Sequence, residues 1–75
     1  MKCIIRLIWI EEEKFWHSES VDERFGLTLE SGSLDVLIER VKMAVPEMLE
    51  LVGYKGEINL SFEIDRTDRI ELIAS

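Results

Sequence analysis

The side chains that could carry chemistry are few, and histidine is the first of them to consider. His17 is the only histidine among the 75 residues. A general base needs a positioned partner and a pocket, and strand alternation places only Glu19 beside it. We therefore interpret His17 as a surface residue of a strand rather than as a base or a metal ligand.

Two groups of carboxylates are candidate cation sites. The run Glu11–Glu13 lies in a turn, where adjacent side chains diverge, and it lacks the glycine-spaced pattern of a calcium loop. Glu63, Asp65 and Asp68 form a loose cluster of the kind that two-metal nucleases use. Glu63 and Asp65, however, alternate with apolar residues and should face water. We expect no catalysis, no metal and no cofactor, with a carboxylate-dependent nuclease as the enzymatic alternative.

The single cysteine and the N-terminus indicate the compartment. Cys3 cannot form a disulfide within the chain, and its alternating position in an apolar segment predicts a small buried side chain. The N-terminal segment is charged and then apolar, as in a signal peptide. Arg6 interrupts it, however, and the charged run Glu11–Lys14 follows where small cleavage-site residues should be. The apolar runs are also too short to span a bilayer, so we expect a cytoplasmic protein.

The charge balance favours a protein partner over a nucleic acid. Sixteen acidic residues against nine basic ones give a net charge of −7. Because affinity for nucleic acid comes mainly from Lys and Arg contacts to phosphates, we expect no direct nucleic-acid binding, whereas a basic protein would be attracted. The alternative interpretation is that the acids only keep a small protein soluble. The acids expected to steer a basic partner are Glu11, Glu12, Glu13, Asp22 and Glu23.

The apolar periodicity predicts a single domain, residues 1–75, with the element order β-β-β-α-β. Period-2 alternation indicates strands, and a 3.6-residue apolar stripe indicates one helix. This order is typical of the α+β class, and we expect an antiparallel-rich sheet of four or five strands with one helix layer on one face. The predicted strands cover residues 2–10, 15–20, 26–30 and 57–64, the predicted helix covers 34–52, and a fifth strand over 70–73 closes a terminal hairpin.

Local signals define the ends of the predicted helix. Ser33 is a favourable N-cap, and Asp35 suits the positive end of the helix dipole. Gly53 follows the last periodic residue and suits the C′ position. Pro46 lies inside the stripe, where it lacks an N–H and clashes with the carbonyl of Lys42. We therefore expect a kink or a break into two helices near Pro46.

The first strand is apolar on both faces, as is typical of a strand covered on two sides. One helix can cover only one face of the sheet. Phe15 and Trp16 point to opposite faces of the second strand, so one of them must join the uncovered face. An open apolar patch of this kind favours a homodimer or higher oligomer. The predicted interface consists of Ile4, Ile8, Ile10 and Trp16.

An ordered series of short motifs runs from the end of the first strand to the end of the helix. In this sequence the motifs read Trp9-Ile10, Phe15-Trp16-His17-Ser18, Asp22-Glu23, Phe25-Gly26-Leu27, Ser33-Leu34-Asp35 and Pro46-Glu47-Met48-Leu49-Glu50. In order and approximate spacing, this stretch resembles the HicB-like family, and especially its short single-domain branch of uncharacterised function.

The resemblance implies a truncated ribonuclease H-like fold and an antitoxin-like role, in which a small protein occludes a basic RNA-cleaving toxin of the HicA type. The chain departs from the family pattern at Phe25, where proline is usual, and at Ile10, where an acid is usual. It also lacks the C-terminal helix-turn-helix or ribbon-helix-helix segment of full-length antitoxins, so the resemblance does not extend to DNA binding. A homo-oligomeric interaction module unrelated to any toxin is the alternative function.

Overall fold

The described part of the chain contains four strands and one helix, in the predicted order β-β-β-α-β. The computed structural model describes residues 1–21 and 26–73. In that part of the chain, no helix has the length and apolar character that crossing a bilayer requires. The elements are β1 (Lys2–Ile10), β2 (Phe15–Ser20), β3 (Thr28–Ser31), α1 (Leu34–Leu51) and β4 (Asn59–Asp65).

The strands form one mixed sheet in the order β3-β2-β1-β4. β1 pairs antiparallel with β2, and β2 pairs antiparallel with β3. β4 pairs parallel with β1, because α1 carries the chain back along the sheet before β4 begins. The predicted α+β class is therefore confirmed, with two antiparallel pairings and one parallel pairing.

The core lies between α1 and one face of the sheet. Cys3, Ile5 and Leu7 alternate along β1 and are fully buried. The helix contributes side chains at 3.6-residue spacing, so that one stripe of α1 faces the sheet. Burial of each large apolar side chain stabilises the fold by about 1.5–3 kcal/mol. The buried helix residues are Leu37, Val41, Val45 and Leu49.

Both predicted helix caps are present. The Ser33 side chain accepts a hydrogen bond from the backbone N–H of Val36, which satisfies one of the unpaired donors at the N-terminus. At the other end, Gly53 adopts a positive φ of 83° and its N–H bonds to the carbonyl of Glu50. The N–H of Tyr54 bonds to the carbonyl of Leu49, which completes a Schellman motif.

The helix runs through Pro46 as a single element of 18 residues. Of the two outcomes predicted there, a kink or a break, the break is therefore wrong. Pro46 is exposed, and it removes the hydrogen bond that its own N–H would have made. The residues on either side of it along the apolar stripe, Val45 and Leu49, are both buried. Their packing holds the helix together across the missing bond.

The predicted terminal hairpin is also not formed. Residues 66–73, which we call the arm, continue beyond β4 without strand pairing, and every one of them is exposed. The radius of gyration is 15.4 Å and the longest dimension is 62 Å, whereas a compact chain of this length has a radius of gyration of about 11 Å. The arm therefore extends away from the domain instead of folding across the sheet.

Candidate functional site: the outer face of the sheet

The sheet has one face that α1 does not cover, which we call the outer face. Strand pairing defines its members, because residues directly opposite each other in a sheet share a face. Ile8, for example, lies opposite His17 of β2 and Asp65 of β4. The outer face consists of Lys2, Ile4, Arg6, Ile8 and Ile10 of β1, Phe15, His17 and Glu19 of β2, Thr28 and Glu30 of β3, and Asn59, Ser61, Glu63 and Asp65 of β4.

An apolar strip occupies one end of the outer face. Ile10 lies opposite Phe15, and Ile8 is the next residue of β1 on the same face. Phe15 is 42% exposed, and the isoleucines are half-buried. Three apolar side chains in contact with water on one sheet surface provide the type of surface that partners use. We therefore treat this strip as the centre of the candidate binding surface.

Trp16 does not belong to this strip, so its predicted place beside the outer-face isoleucines is wrong. It lies opposite Trp9 on the helix side of the sheet and is 6% exposed. The turn at residues 11–14 sets this alternation, because it places Ile10 opposite Phe15. Phe15 is the exposed aromatic residue of the pair, and Trp16 is part of the core.

A row of alternating charges crosses the middle of the outer face. The Nη1 atom of Arg6 lies 3.4 Å from Oε1 of Glu19, and its Nη2 atom lies 3.6 Å from Oε2 of Glu63. The three side chains belong to three adjacent strands and are 43–55% exposed. Such exposed pairs contribute little to stability, but they place two carboxylates beside the apolar strip.

His17 also lies on the outer face, with a carboxylate beside it. Its Nδ1 atom is 3.6 Å from Oε1 of Glu30, which lies opposite it on β3. Sequence reasoning considered only Glu19, two residues along the same strand. Glu30 was missed because the sequence of the loop between β2 and β3 does not predict which residue of β3 lies opposite His17. The outer face thus presents four carboxylates against Lys2, Arg6 and His17, so its carboxylates outnumber its basic side chains.

The turn acids adjoin the strip at its Ile10–Phe15 end. Glu11 accepts hydrogen bonds from Nζ of Lys14 and from the indole Nε1 of Trp9. The bond from Lys14 is the main reason that the pKa of Glu11 lies below its usual value, and the Trp9 bond adds to this effect. Glu12 and Glu13 are exposed. Of the predicted steering acids, Asp22 and Glu23 lie outside the described residues.

The other predicted carboxylate cluster does not converge. Glu63 pairs with Arg6, and Asp68 pairs with Arg66 at 2.9 Å on the arm. Asp65 ends β4 opposite Ile8. Within residues 1–21 and 26–73, no three His, Cys, Asp or Glu side chains gather closely enough to hold a metal ion.

Two further features lie away from the outer face. The rings of Trp9 and Trp16 are 5.3 Å apart, and the guanidinium of Arg66 lies 4.6 Å from the Trp9 ring centre. This cation–π contact anchors the start of the arm on the helix side of the sheet.

A cavity of about 380 Å³ lies at the end of α1, beside Pro46 and Tyr54. The Tyr54 hydroxyl donates a hydrogen bond to the Glu57 carbonyl and stabilises that loop.

Comparison with known proteins gives a family and a structural relative. Residues 2–74 match a family described as a domain of unknown function, DUF1902. The crystal structure of a hypothetical protein from the extremely thermophilic bacterium Thermus thermophilus is similar, with a TM-score of 0.68 and 26% sequence identity. That similarity covers 96% of this chain and 100% of the other. No curated protein matches the chain.

Proposed function

This chain belongs to the DUF1902 family, a domain of unknown function, and we propose a role for it from its own surfaces. It is a non-enzymatic protein that acts by binding a basic protein partner through the outer face. The observation that carries the proposal is the half-exposed strip of Ile8, Ile10 and Phe15 with acids on both sides. An apolar centre with a polar rim is the usual anatomy of a protein interface.

The charges around the strip specify the chemistry of the partner. Glu19 and Glu63 lie on one side of the strip, and the turn with Glu12 and Glu13 lies on the other. Negative groups on both sides attract a positive surface and set its orientation. A net charge of −7 for the whole chain acts in the same direction at longer range.

An antitoxin-like role is the specific form of the proposal. The motif series resembles the HicB-like family, and the partner implied by that resemblance is a small basic RNA-cleaving toxin of the HicA type. Occlusion of the toxin by the outer face would require no chemistry from this chain. The charge complementarity described above supports this form, because an RNA-cleaving protein carries a basic surface for its polyanionic substrate.

The test is an assay of RNA cleavage by a HicA-type toxin, in which this protein should act as an inhibitor. The toxin is first sought in a gene that lies next to the gene of this chain. The wild-type protein should inhibit cleavage and co-purify with the toxin at low salt. Ile8→Lys places a positive charge in the strip and should reduce affinity at least about tenfold. Met43→Lys is the matched control, because Met43 is 72% exposed on α1, and it should bind as wild type does.

The salt dependence of the binding rates distinguishes steering by the acids from the apolar contacts of the strip. The association rate should fall as salt rises, because the acids steer the encounter, whereas the dissociation rate should change less. The proposal fails if the protein neither inhibits the toxin nor captures any small basic protein from native lysate. It also fails if Ile8→Lys and Met43→Lys bind equally well.

A homo-oligomeric module is the second candidate function, and the exposed arm favours it. An enzymatic role is the remaining alternative, in which Glu63, Asp65 and Asp68 would support metal-dependent nuclease activity. Nuclease activity of the purified wild type that is lost in Asp65→Ala would replace the binding proposal with that role.

A further inference from the structure

The arm leaves three large apolar side chains almost fully exposed to water. Ile70, Leu72 and Ile73 are 82%, 96% and 90% exposed. The accessible surface of the chain is 5675 Å², roughly 900 Å² more than the ~4,800 Å² expected of a compact protein of its mass. A standard interface buries about 800 Å² on each partner. The excess surface thus has the size that a dimer would cover.

We propose that two copies of this chain exchange their arms, each arm pairing antiparallel with β4 of the other copy. β4 is an edge strand, because its neighbour in the sheet is β1 alone. The outer edge of such a strand presents backbone groups that another strand can pair with. Since the arm continues directly from β4, one two-fold axis across the junction lays each arm along the other's β4.

The apolar side chains of the arm and of β4 can face each other in this pairing. In the proposed register, the two-fold axis passes between Thr67 and Thr67 of the partner subunit. Ile70 then lies opposite Ile64 of the partner subunit, and Leu72 lies opposite Phe62 of the partner subunit. Ile64 is itself 57% exposed at the end of β4, so the pairing removes apolar surface from both strands. These residues all share the helix side of the sheet, which keeps both helices on one side of the joined sheet.

Most charged positions agree with the same register. Arg66 lies opposite Asp68 of the partner subunit, and Arg69 lies opposite Asp65 of the partner subunit. Opposite charges in directly facing positions stabilise a strand pair. Each of these pairs occurs twice because of the symmetry, so four attractive pairs line the junction.

The neighbouring registers are less favourable. A shift of two residues in one direction places Arg66 opposite Arg66 of the partner subunit and Asp68 opposite Ile64 of the partner subunit. The same shift in the other direction places Asp68 opposite its own copy and Glu71 opposite Asp65 of the partner subunit. Like charges in facing positions are destabilising. The proposed register has one kind of like-charged pair, Glu71 opposite Glu63 of the partner subunit. It occurs twice because of the symmetry, and it provides a specific test.

Arm exchange does not depend on the proposed outer-face function. Its apolar contacts lie on the helix side of the sheet. On the outer face it adds Arg69 and Glu71, beside Asp65 and Glu63 at the β4 edge, and it leaves Ile8 and Phe15 exposed. Failure of toxin inhibition would therefore leave the arm proposal intact, and failure of arm exchange would leave the outer face available to a partner.

The first experiment is sedimentation of the full chain at high micromolar concentration. The wild type should be a dimer, and the double variant Ile70→Asp, Leu72→Asp should raise the dissociation constant about tenfold or more. Both positions are highly exposed in the single chain, so the variant should still fold. Met43→Asp, at an exposed position on α1, is the control and should remain dimeric. A monomeric wild type overturns the proposal, as does a dimer that the double variant leaves unchanged.

Cross-linking tests the register. Facing Cα atoms in an antiparallel pair are about 4.5–5.5 Å apart, within reach of a disulfide. Thr67→Cys should therefore form a disulfide-linked dimer on mild oxidation. Glu71→Cys is equally accessible on the arm, but the two copies would be about 26 Å apart and should not cross-link. The wild type controls for Cys3, which is fully buried. A cross-link at residue 71 without one at residue 67 overturns the register.

The like-charged pair gives a gain-of-affinity test. Glu71→Lys changes two repulsive pairs into attractive ones and should lower the dissociation constant about threefold to tenfold. Glu57→Lys makes the same charge change outside the arm and should not tighten the dimer to that extent. If Glu71→Lys weakens the dimer, Glu71 does not face Glu63 of the partner subunit, and the proposal is wrong.

Discussion

Ser18 is the one polar residue among the buried side chains of the described chain. Its hydroxyl accepts a hydrogen bond from the N–H of Leu29 at 3.0 Å and donates to the Leu29 carbonyl at 3.3 Å. The side chain thereby joins β2 to β3 where both strands face the helix. We expect Ser18→Ala to lower the free energy of unfolding by about 1–3 kcal/mol, because the Leu29 N–H loses its partner. Chemical denaturation measures this loss.

The matched control is Ser61→Ala on the outer face, where Ser61 is half-exposed. That substitution should change the free energy of unfolding by no more than about 0.5 kcal/mol. Equal effects at the two positions would mean that the buried Ser18 bond does not stabilise the sheet.

Glu11 gives a residue-scale prediction about pH. Its folded-state pKa is lowered, mainly by the hydrogen bond from Lys14. A lowered pKa means that the ionised form favours the folded state, so this contribution is present at neutral pH. It is lost as pH falls below 4.5 and through the lowered pKa. In an NMR titration, Lys14→Gln should raise the Glu11 pKa toward its ordinary value, whereas an unchanged value would exclude Lys14 as the main cause.

At the scale of elements, the C-terminus of α1 depends on a residue that can adopt a positive φ. Gly53 has a φ of 83°, and a Cβ at this position would meet no atom within 4 Å. The cost of Gly53→Ala is therefore backbone strain alone, and we expect it to lower the free energy of unfolding by about 1 kcal/mol. Gly32→Ala is the control, since Gly32 also has open space but no positive φ. Thermal unfolding should show a lower Tm for Gly53→Ala only.

The elements that sequence reasoning predicted best are those whose signal is local. β1 and β2 match their predicted bounds, because alternation and a charged turn define both ends. α1 ends at Leu51, one residue before the predicted end, because the Schellman motif at Gly53 closes it. Of the kink or break expected at Pro46, the break does not occur, because the packing of Val45 and Leu49 opposes the local penalty of proline.

The candidate site was less predictable because it depends on pairing between distant segments. Ile4, Ile8 and Ile10 lie on the face that the helix leaves uncovered, as predicted from alternation in β1. The prediction of which aromatic residue, Phe15 or Trp16, lies on the outer face depends on the register across the turn. The prediction of Trp16 is wrong. The arm has the composition of a strand, but strand formation needs a neighbour, and the arm pairs with no strand among residues 1–21 and 26–73.

At the scale of the whole molecule, the charge distribution argues against nucleic-acid binding. The chain has a net charge of −7, and several of its basic groups are already paired with carboxylates. Those in ion pairs are Arg6, Lys14, Lys42, Arg66 and Arg69. These pairings reduce the positive charge that could neutralise phosphates and release their counterions.

We therefore expect the purified protein to show no measurable binding to single-stranded RNA or duplex DNA at ~150 mM salt. Lowering the salt to ~50 mM should not produce strong binding, because a protein that makes few phosphate contacts has a shallow salt dependence. A basic protein should be bound more tightly at the lower salt, since the acids that repel phosphates attract it. Filter binding with labelled RNA, run beside the toxin-inhibition assay, measures both effects. Tight and strongly salt-dependent RNA binding would show that a local basic surface outweighs the total charge, and the partner would then have to be sought among nucleic acids.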